Sequence, residues 1–401
     1  MEFDAAGTMP MSGVVFFGMA AIRLPAYVQS DVRFDTFSTY CAQFVEVEMS
    51  DREDLNLVVT DLHRRITGVG ATVRTLIPYI ASEEPLALVS PHPHAAVKSI
   101  GLWQAFKMCA KLPRGKPFRI WHVRRNNEML WGLIFKHLFR CRLKLVMTSC
   151  ALRRHSWFPR KLLAAMDAII ATSDDAAGFV DNVVATIPHG VDCDRFRPCA
   201  DKTRAMKEFM IPGTYGIGIC GRVRPEKGTD LFVDAMIQLL PRFPDFTACI
   251  AGRASLEFES FQRGLKKKIA AAGLEDRIMW MGEIDYERMP RFHAAMGLCV
   301  APARYEGFGL VPLEAMASGV PVVASRTGCY PDAIIPGQNG DLFPCGDLAA
   351  LVTALQHIMS APERLSAMGA AGCQQVQQHF SARSEADRIV DVYQGIWQDA
   401  A

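Results

Sequence analysis

Two glutamates with seven residues between them punctuate the run Arg304-Tyr-Glu-Gly-Phe-Gly-Leu-Val-Pro-Leu-Glu314-Ala-Met-Ala-Ser-Gly-Val-Pro-Val-Val-Ala324. A carboxylate can accept from two hydroxyls at once, so an acid aimed into a cleft suits a polyol such as a sugar or a ribose. Glu306 falls in a glycine-flanked loop after an apolar run ending near Ala301, and Glu314 falls in the opening turns of the helix that follows. Gly307 and Gly309 allow the backbone close to a ligand, and the amides that open a helix make an anion site. Taken alone, Glu314 would be an exposed helix residue favoured by the dipole. Two acids inside this glycine and proline pattern read instead as a ligand site.

A second constellation is Cys220-Gly-Arg-Val-Arg-Pro-Glu-Lys-Gly-Thr-Asp230: a strand end, a loop and a helix start. Arg222 and Lys227 stand five apart at the mouth of the sheet. Two cations beside a helix N-terminus neutralise a diphosphate without a metal. They also stabilise the charge that grows on it as its bond to a sugar breaks. Surface ion pairing with Glu226 is the plainer alternative for this motif by itself. Arg224 is a further cation with no assigned role, and no metal ligands are assigned.

These residues need elements to position them. From Leu55 onward short apolar runs alternate with helical patterns, the signature of parallel βαβ architecture. Leu55–Thr60, Leu86–Ser90, Phe118–Val123, Leu143–Thr148, Ala168–Thr172 and Val183–Ile187 read as strands of a first domain. A helix is expected over Asn126–Phe139, with Met129, Leu133 and Leu138 near one face. Pro188 to about Tyr215 reads as a linker. A second series runs through Tyr215–Cys220, Phe246–Ala251, Arg277–Met281, Gly297–Ala301, Val320–Ala324 and Asp341–Phe343. The helix Asp230–Leu240 carries Phe232, Ala235, Met236, Leu239 and Leu240 on one stripe, with Thr229 as its expected cap. Gly273 and Gly319 are expected to end helices. The fold class is therefore α/β, two doubly wound Rossmann-like domains with ligands at the carboxyl ends of strands facing a cleft. Expected bounds are 1–52 for an N-terminal extension, 53–190 and 191–380 for the two domains, and 381–401 for a C-terminal helix packing back toward the first.

Half of the 401 residues are apolar and the formal net charge is only +2, but the charge is unevenly spread. Lys111 to Lys161 holds fourteen Lys or Arg and one acid, Glu128. Such a stretch suggests a polyanionic partner, and a solvated basic surface is its bland counterpart. Twelve cysteines without a CxxC pair argue for free thiols in a reducing compartment. The apolar run Val14–Ile22 is too short to span a bilayer, and Glu2 and Asp4 precede it where a signal peptide carries Lys or Arg.

At the two-glutamate run the sequence resembles the retaining glycosyltransferases of family 4, which have the GT-B fold. The resemblance extends from Leu55 to the C-terminus, and the Gly-Arg…Glu-Lys-Gly string at 221–228 also matches. It implies that Glu306 contacts the donor sugar and acts in catalysis, that Glu314 holds the nucleotide ribose, and that the amides of Phe308, Gly309 and Leu310 meet phosphate. Arg222 and Lys227 would hold the donor diphosphate. Thr67-Gly-Val-Gly70 resembles the family's glycine loop against donor phosphate, which nominates Gly68 and Gly70. His63, Arg64 and Arg65 precede it and could face an anionic acceptor. Pro188-His-Gly-Val-Asp192 resembles the family's linker turn, giving His189 a structural role. Many members carry a histidine after the strand placed at Leu143–Thr148; Ser149 and Cys150 stand there instead. Whether His155 or His122 substitutes is open, and a surface histidine is the plainer reading of each.

The Trp121-His-Val-Arg-Arg-Asn-Asn-Glu128 stretch brings the sequence nearest to lipopolysaccharide-core mannosyltransferases. Arg124 and Arg125, with Arg64, Arg65 and His155, are the acceptor-side candidates. The resemblance implies a metal-independent enzyme without a cofactor, using a nucleotide-sugar donor, GDP-mannose, and an anionic glycolipid acceptor. The expected location is cytoplasmic, peripheral at an anionic membrane through residues 111–161, with no nucleic-acid partner. A nucleotide-sugar epimerase and a non-catalytic saccharide- or lipid-binding protein of the same fold are the alternatives.

Overall fold

The computed structural model describes residues 15–17, 20–22, 55–64 and 68–399. Arg65, Thr67 and most of the N-terminal extension lie outside them. The chain divides into a small unit, Met1–Glu48, and a large one, Met49–Ala401. In the small unit β1 (Val15–Phe17) and β2 (Ala20–Ile22) pair antiparallel.

The large unit contains two parallel sheets. The first has β3 (Leu57–Thr60), β4 (Leu86–Val89), β5 (Ser99–Ile100), β6 (Arg119–Val123), β7 (Leu143–Ser149), β8 (Ala168–Ala171) and β9 (Val183–Thr186). Their order is β5-β4-β3-β6-β7-β8-β9. The crossovers are α1 (Gly68–Glu83), α2 (Leu102–Cys109), α3 (Asn126–Leu133), α4 (Trp157–Ala164) and α5 (Asp174–Ala177). Every residue of β3, β4, β6 and β8 is buried, as expected of strands covered on both faces.

After α6 (Lys202–Glu208) comes the second sheet: β10 (Tyr215–Cys220), β11 (Phe246–Ala251), β12 (Ile278–Gly282), β13 (Met296–Ala301), β14 (Val322–Ser325) and β15 (Gly340–Phe343). Its order is β12-β11-β10-β13-β14-β15. It carries α7 (Thr229–Leu239), α8 (Glu259–Ala271), α9 (Met289–Ala295), α10 (Leu310–Ala317), α11 (Tyr330–Ala333), α12 (Leu348–Met359) and α13 (Leu365–His379). The last helix, α14 (Ala382–Gln398), leaves the second sheet. Its Ile389, Tyr393 and Trp397 join Leu76, Ile77 and Ile80 of α1 in one core.

Several sequence expectations need correction. Thr229 does not cap α7: it is buried inside the first turn, and Gly228 occupies the cap position without a side-chain bond. The helix expected over Asn126–Phe139 is α-helical only to Leu133, and a π-turn over Ile134–Leu138 follows. The wider turn delivers Leu138 to solvent rather than to the core face. Gly68 and Gly70 open α1 instead of forming a loop ahead of it. Gly273 and Gly319 follow helix ends at φ +64° and +72°, as expected of left-handed stops.

Candidate active site

The loop after β10 and the loop after β13 are stapled together. Arg304 Nη1 and Nη2 donate to the two oxygens of Asp230 at 2.8 and 2.7 Å, and Nη1 also donates to the Pro225 carbonyl at 2.6 Å. The Arg304 amide donates to Glu226 O at 2.8 Å. Gly228 sits at φ +69°, and a β-carbon there would overlap the Pro302 carbonyl, so only glycine lets these loops meet. The result places Lys227 Nζ in an ion pair with Glu306 Oε2.

Arg222 is exposed and makes no ion pair among the described residues, and Arg224 instead of Arg222 faces Glu226, at 3.8 Å. The alternative of a purely internal pair therefore falls on the residue that had no role. Glu306 is held from behind: its amide donates to Thr327 Oγ1 at 3.2 Å. Its carboxylate also lies by the Tyr330 hydroxyl, which burial and then the charge of Glu306 push well above its ordinary range. Gly309 at φ +92° caps α10, and a β-carbon would collide with both Tyr330 and Glu306. No acid occupies the first turn of α10 and no side chain caps it, so its opening amides are offered outward. Phe308 is buried, its carbonyl accepting from the Cys329 amide at 2.8 Å.

Glu314 is the fifth residue of α10, and its Oε2 lies 3.7 Å from Nε2 of buried His293 on α9. Neither His293 nor Tyr330 was signalled by spacing, because both reach the site from separate elements. An Asp-x-Asp string, Asp192-Cys-Asp194, is engaged in the linker: Asp192 Oδ1 accepts from the amides of Asp194 and Arg195 at 3.0 and 3.1 Å.

The first sheet meets this site through Cys150, just beyond β7: a β-carbon on Gly307 would lie 3.2 Å from the Cys150 carbonyl. Behind it, buried His189 pairs with Glu385 of α14 at 2.7 Å, and its ring stands edge-on to Phe308 with centroids 5.0 Å apart. Burial alone would lower His189, but Glu385 and the neighbouring Cys150 thiol raise it to about 9.

The acceptor-side candidates separate. Arg125 donates to Asp61 at 2.6 Å and to Glu128 at 3.2 Å, and so braces the loops after β3 and β6. Arg124 is buried near His122 and Tyr393. His155 is half-buried, lowered by burial and by Arg153. Arg64 lies ahead of α1 and Arg65 outside the described residues. His122 is not a surface histidine: it is fully buried, hydrogen-bonded to Thr148 Oγ1 at 2.8 Å and to the Tyr393 hydroxyl. Burial, then Arg124, keeps its imidazole well below the ordinary value. Gly70 approaches Asp61 closely, 2.9 Å from where its β-carbon would stand, while Gly68 is open.

Residues 202–375 match the family of glycosyl transferases group 1. The lipopolysaccharide core biosynthesis mannosyltransferase LpsB of Rhizobium meliloti (strain 1021) is 40% identical over 352 residues, covering 87% of this chain and 99% of LpsB. The chain belongs to the group 1 glycosyltransferases. The core mannosyltransferase LpcC of Rhizobium leguminosarum bv. viciae is 38% identical to this glycosyltransferase over 358 residues, 88% of the chain and 99% of LpcC. Its fold is GT-B. HepE of Anabaena in complex with UDP superposes with a TM-score of 0.71 at 17% identity, covering 85% of this chain and 100% of HepE. Sucrose-phosphate synthase of Thermosynechococcus elongatus gives 0.70 at 22% identity, covering 86% and 100%.

Proposed function

We propose that this glycosyltransferase moves mannose from GDP-mannose, with retention and without a metal, onto an anionic glycolipid of the lipopolysaccharide-core class. The observation that carries the reading is the Lys227–Glu306 pair, flanked by exposed Arg222 and the opening amides of α10. Both relatives named above act as core mannosyltransferases, which supports the choice of donor and acceptor.

In this reading the donor diphosphate replaces Glu306 as the partner of Lys227 and completes its charge compensation with Arg222 and the amides of Gly309 and Leu310. Glu306, released but still held by Tyr330 and Thr327, turns to the sugar and stabilises the positive charge of an oxocarbenium-like state. The acceptor hydroxyl attacks from the face the diphosphate leaves, and a departing phosphate oxygen takes its proton. Glu314 holds the ribose hydroxyls, backed by His293, and the Gly68–Gly70 turn lies against donor phosphate. Arg64, Arg124, Arg125 and His155 line the acceptor side, with Arg125 acting through Asp61 and Glu128, and Arg65 is assigned to the same acceptor. Residues 111–161 rest on the anionic inner face of the cytoplasmic membrane.

The test is Glu306→Gln: mannosyl transfer should fall by about 100-fold to 1,000-fold while GDP still binds. Turnover should survive EDTA, and GDP should raise the melting midpoint more than UDP or ADP. Unchanged turnover in the variant, or loss of activity to the chelator, would overturn the mechanism.

A further inference from the structure

Buried guanidinium groups are normally satisfied, because an unpaired cation out of water carries a heavy desolvation penalty. Arg119 shows the ordinary solution, donating to the carbonyls of Leu55 and Met108 at 2.8 Å each and to that of Lys111. Arg124 does not follow it. Only 8% of the residue is exposed, yet none of its three guanidinium nitrogens has a partner among the described residues. Glu128, whose carboxylate accepts from the Arg124 amide, does not pair with the guanidinium. Glu128 already accepts from Thr60 Oγ1, the amides of Leu62 and Arg124, and the guanidinium of Arg125.

The placement is informative. Arg124 follows β6, which lies between β3 and β7, so it stands between Asp61, just beyond β3, and the Cys150 corner that approaches Gly307. Strand alternation puts it on the face shared by Ile120 and His122, toward α14. Two further buried polar atoms at this carboxyl edge also lack partners: Thr172 Oγ1, just beyond β8, and His155 Nε2, in the loop after β7. β6 and β8 are two strand spacings apart, roughly 10 Å, which a single sugar ring with its substituents can bridge.

We infer that Arg124 is the oxyanion anchor of the acceptor site, chelating a carboxylate or phosphate carried by the acceptor sugar, with Thr172 and His155 as contacts to its hydroxyls. This rests on the glycosyltransfer reading above and narrows it, since of the five acceptor-side candidates it keeps Arg124, as the anion anchor, and His155. The nitrogens are covered in this structure, so the sugar must enter with displacement of the groups above them. A planar guanidinium suits such an anion because it can give two parallel bonds, which a lysine cannot.

The experiment is calorimetric titration of the full-length protein, with and without GDP, using three soluble saccharides on one skeleton: a carboxylate, its primary amide and a phosphate monoester. The wild type should bind one or both anionic forms about 30-fold to 100-fold tighter than the amide. A preference for the carboxylate identifies a sugar acid, and a preference for the ester identifies a phosphorylated sugar. Arg124→Gln should erase the preference while leaving amide and GDP affinities within about threefold, and Arg124→Lys should narrow it. If the glutamine variant does not fold, the lysine variant decides by that narrowing. Equal binding of all three forms by the wild type overturns the inference, as does a variant that loses amide or GDP affinity equally. A wild type that ignores GDP and UDP yet separates carboxylate from amide would instead sink the donor reading and leave this one standing.

Discussion

The His189 imidazole joins the linker, α14 and Phe308 of the loop ahead of α10 in one contact set, and its proton is part of the structure. Burial opposes that proton, but Glu385 at 2.7 Å and the Cys150 thiol outweigh it and carry the group to about 9. An unfolded histidine titrates near 6.5. The folded state therefore holds the proton more tightly, and the stabilisation is fully present below about pH 6.5 and disappears as pH rises through about 9. Urea midpoints measured across that window should fall with pH in the wild type. In Glu385→Gln the fall should be largely absent, with a lower midpoint already at pH 6. A wild-type midpoint that is flat or rises over the window would contradict the protonated state. Tyr393 and His122 are different in kind: both are kept neutral by burial and need no proton exchange to hold their bond.

At the scale of elements, the site depends on two turns that bring loops from neighbouring strands into contact. The turn ahead of α7 is the tighter, since Gly228 combines a left-handed backbone with direct approach to the Pro302 carbonyl. Gly228→Ala should destabilise the fold by about 2 kcal/mol or more, and should weaken GDP binding because Lys227 rides on the same turn. Equal urea midpoints and equal GDP affinity for the two proteins would refute this. This part of the molecule was legible beforehand. Strands covered on both faces write continuous apolar runs, so β10 and β11 were bounded to the residue, and Gly309 stood out as a place where backbone can come close to a ligand. What escaped had two kinds of cause, local irregularity and contacts between distant parts of the chain. β5 has only two residues, too few to show a period. The π-turn at Ile134–Leu138 breaks helical spacing where apolar residues continue. His293, Tyr330 and Glu385 act across 21 to 196 residues of chain, a distance at which no spacing rule applies.

For the molecule as a whole, the question is how an enzyme with no described helix long and apolar enough to cross a bilayer would reach the lipid-borne acceptor proposed above. The first sheet carries an answer on the face of α2 to α4. Glu128, the lone acid of the 111–161 stretch, is fully buried and pairs with Arg125, so the exposed cations of that stretch meet no acid of their own segment. Arg119, Arg124 and Arg125 are turned inward, and Lys136 and Lys144 pair with Asp167 at 2.6 and 3.3 Å. Lys116 pairs with Glu84 at 3.7 Å, whereas Arg140, Arg142 and Lys161 are exposed, as are the apolar Trp103, Leu112, Leu138, Phe139 and Trp157, and Phe106 lies between Trp103 and Phe139 at 5.3 and 4.7 Å. Aromatic rings with interspersed lysine and arginine suit the boundary between acyl chains and anionic headgroups. Each cation near such a surface contributes about 1 kcal/mol, so changing Arg140, Arg142 and Lys161 together to glutamine should weaken binding to vesicles containing phosphatidylglycerol by roughly 100-fold. Trp103→Ala with Phe139→Ala should weaken it further and less sensitively to salt, because that loss is apolar. Neither set touches the donor loops, so GDP affinity and transfer to a soluble acceptor should be unchanged, while transfer to a vesicle-borne acceptor should fall. Vesicle binding that ignores both sets, or that is equal on neutral phosphatidylcholine, would overturn the proposed membrane contact of this face.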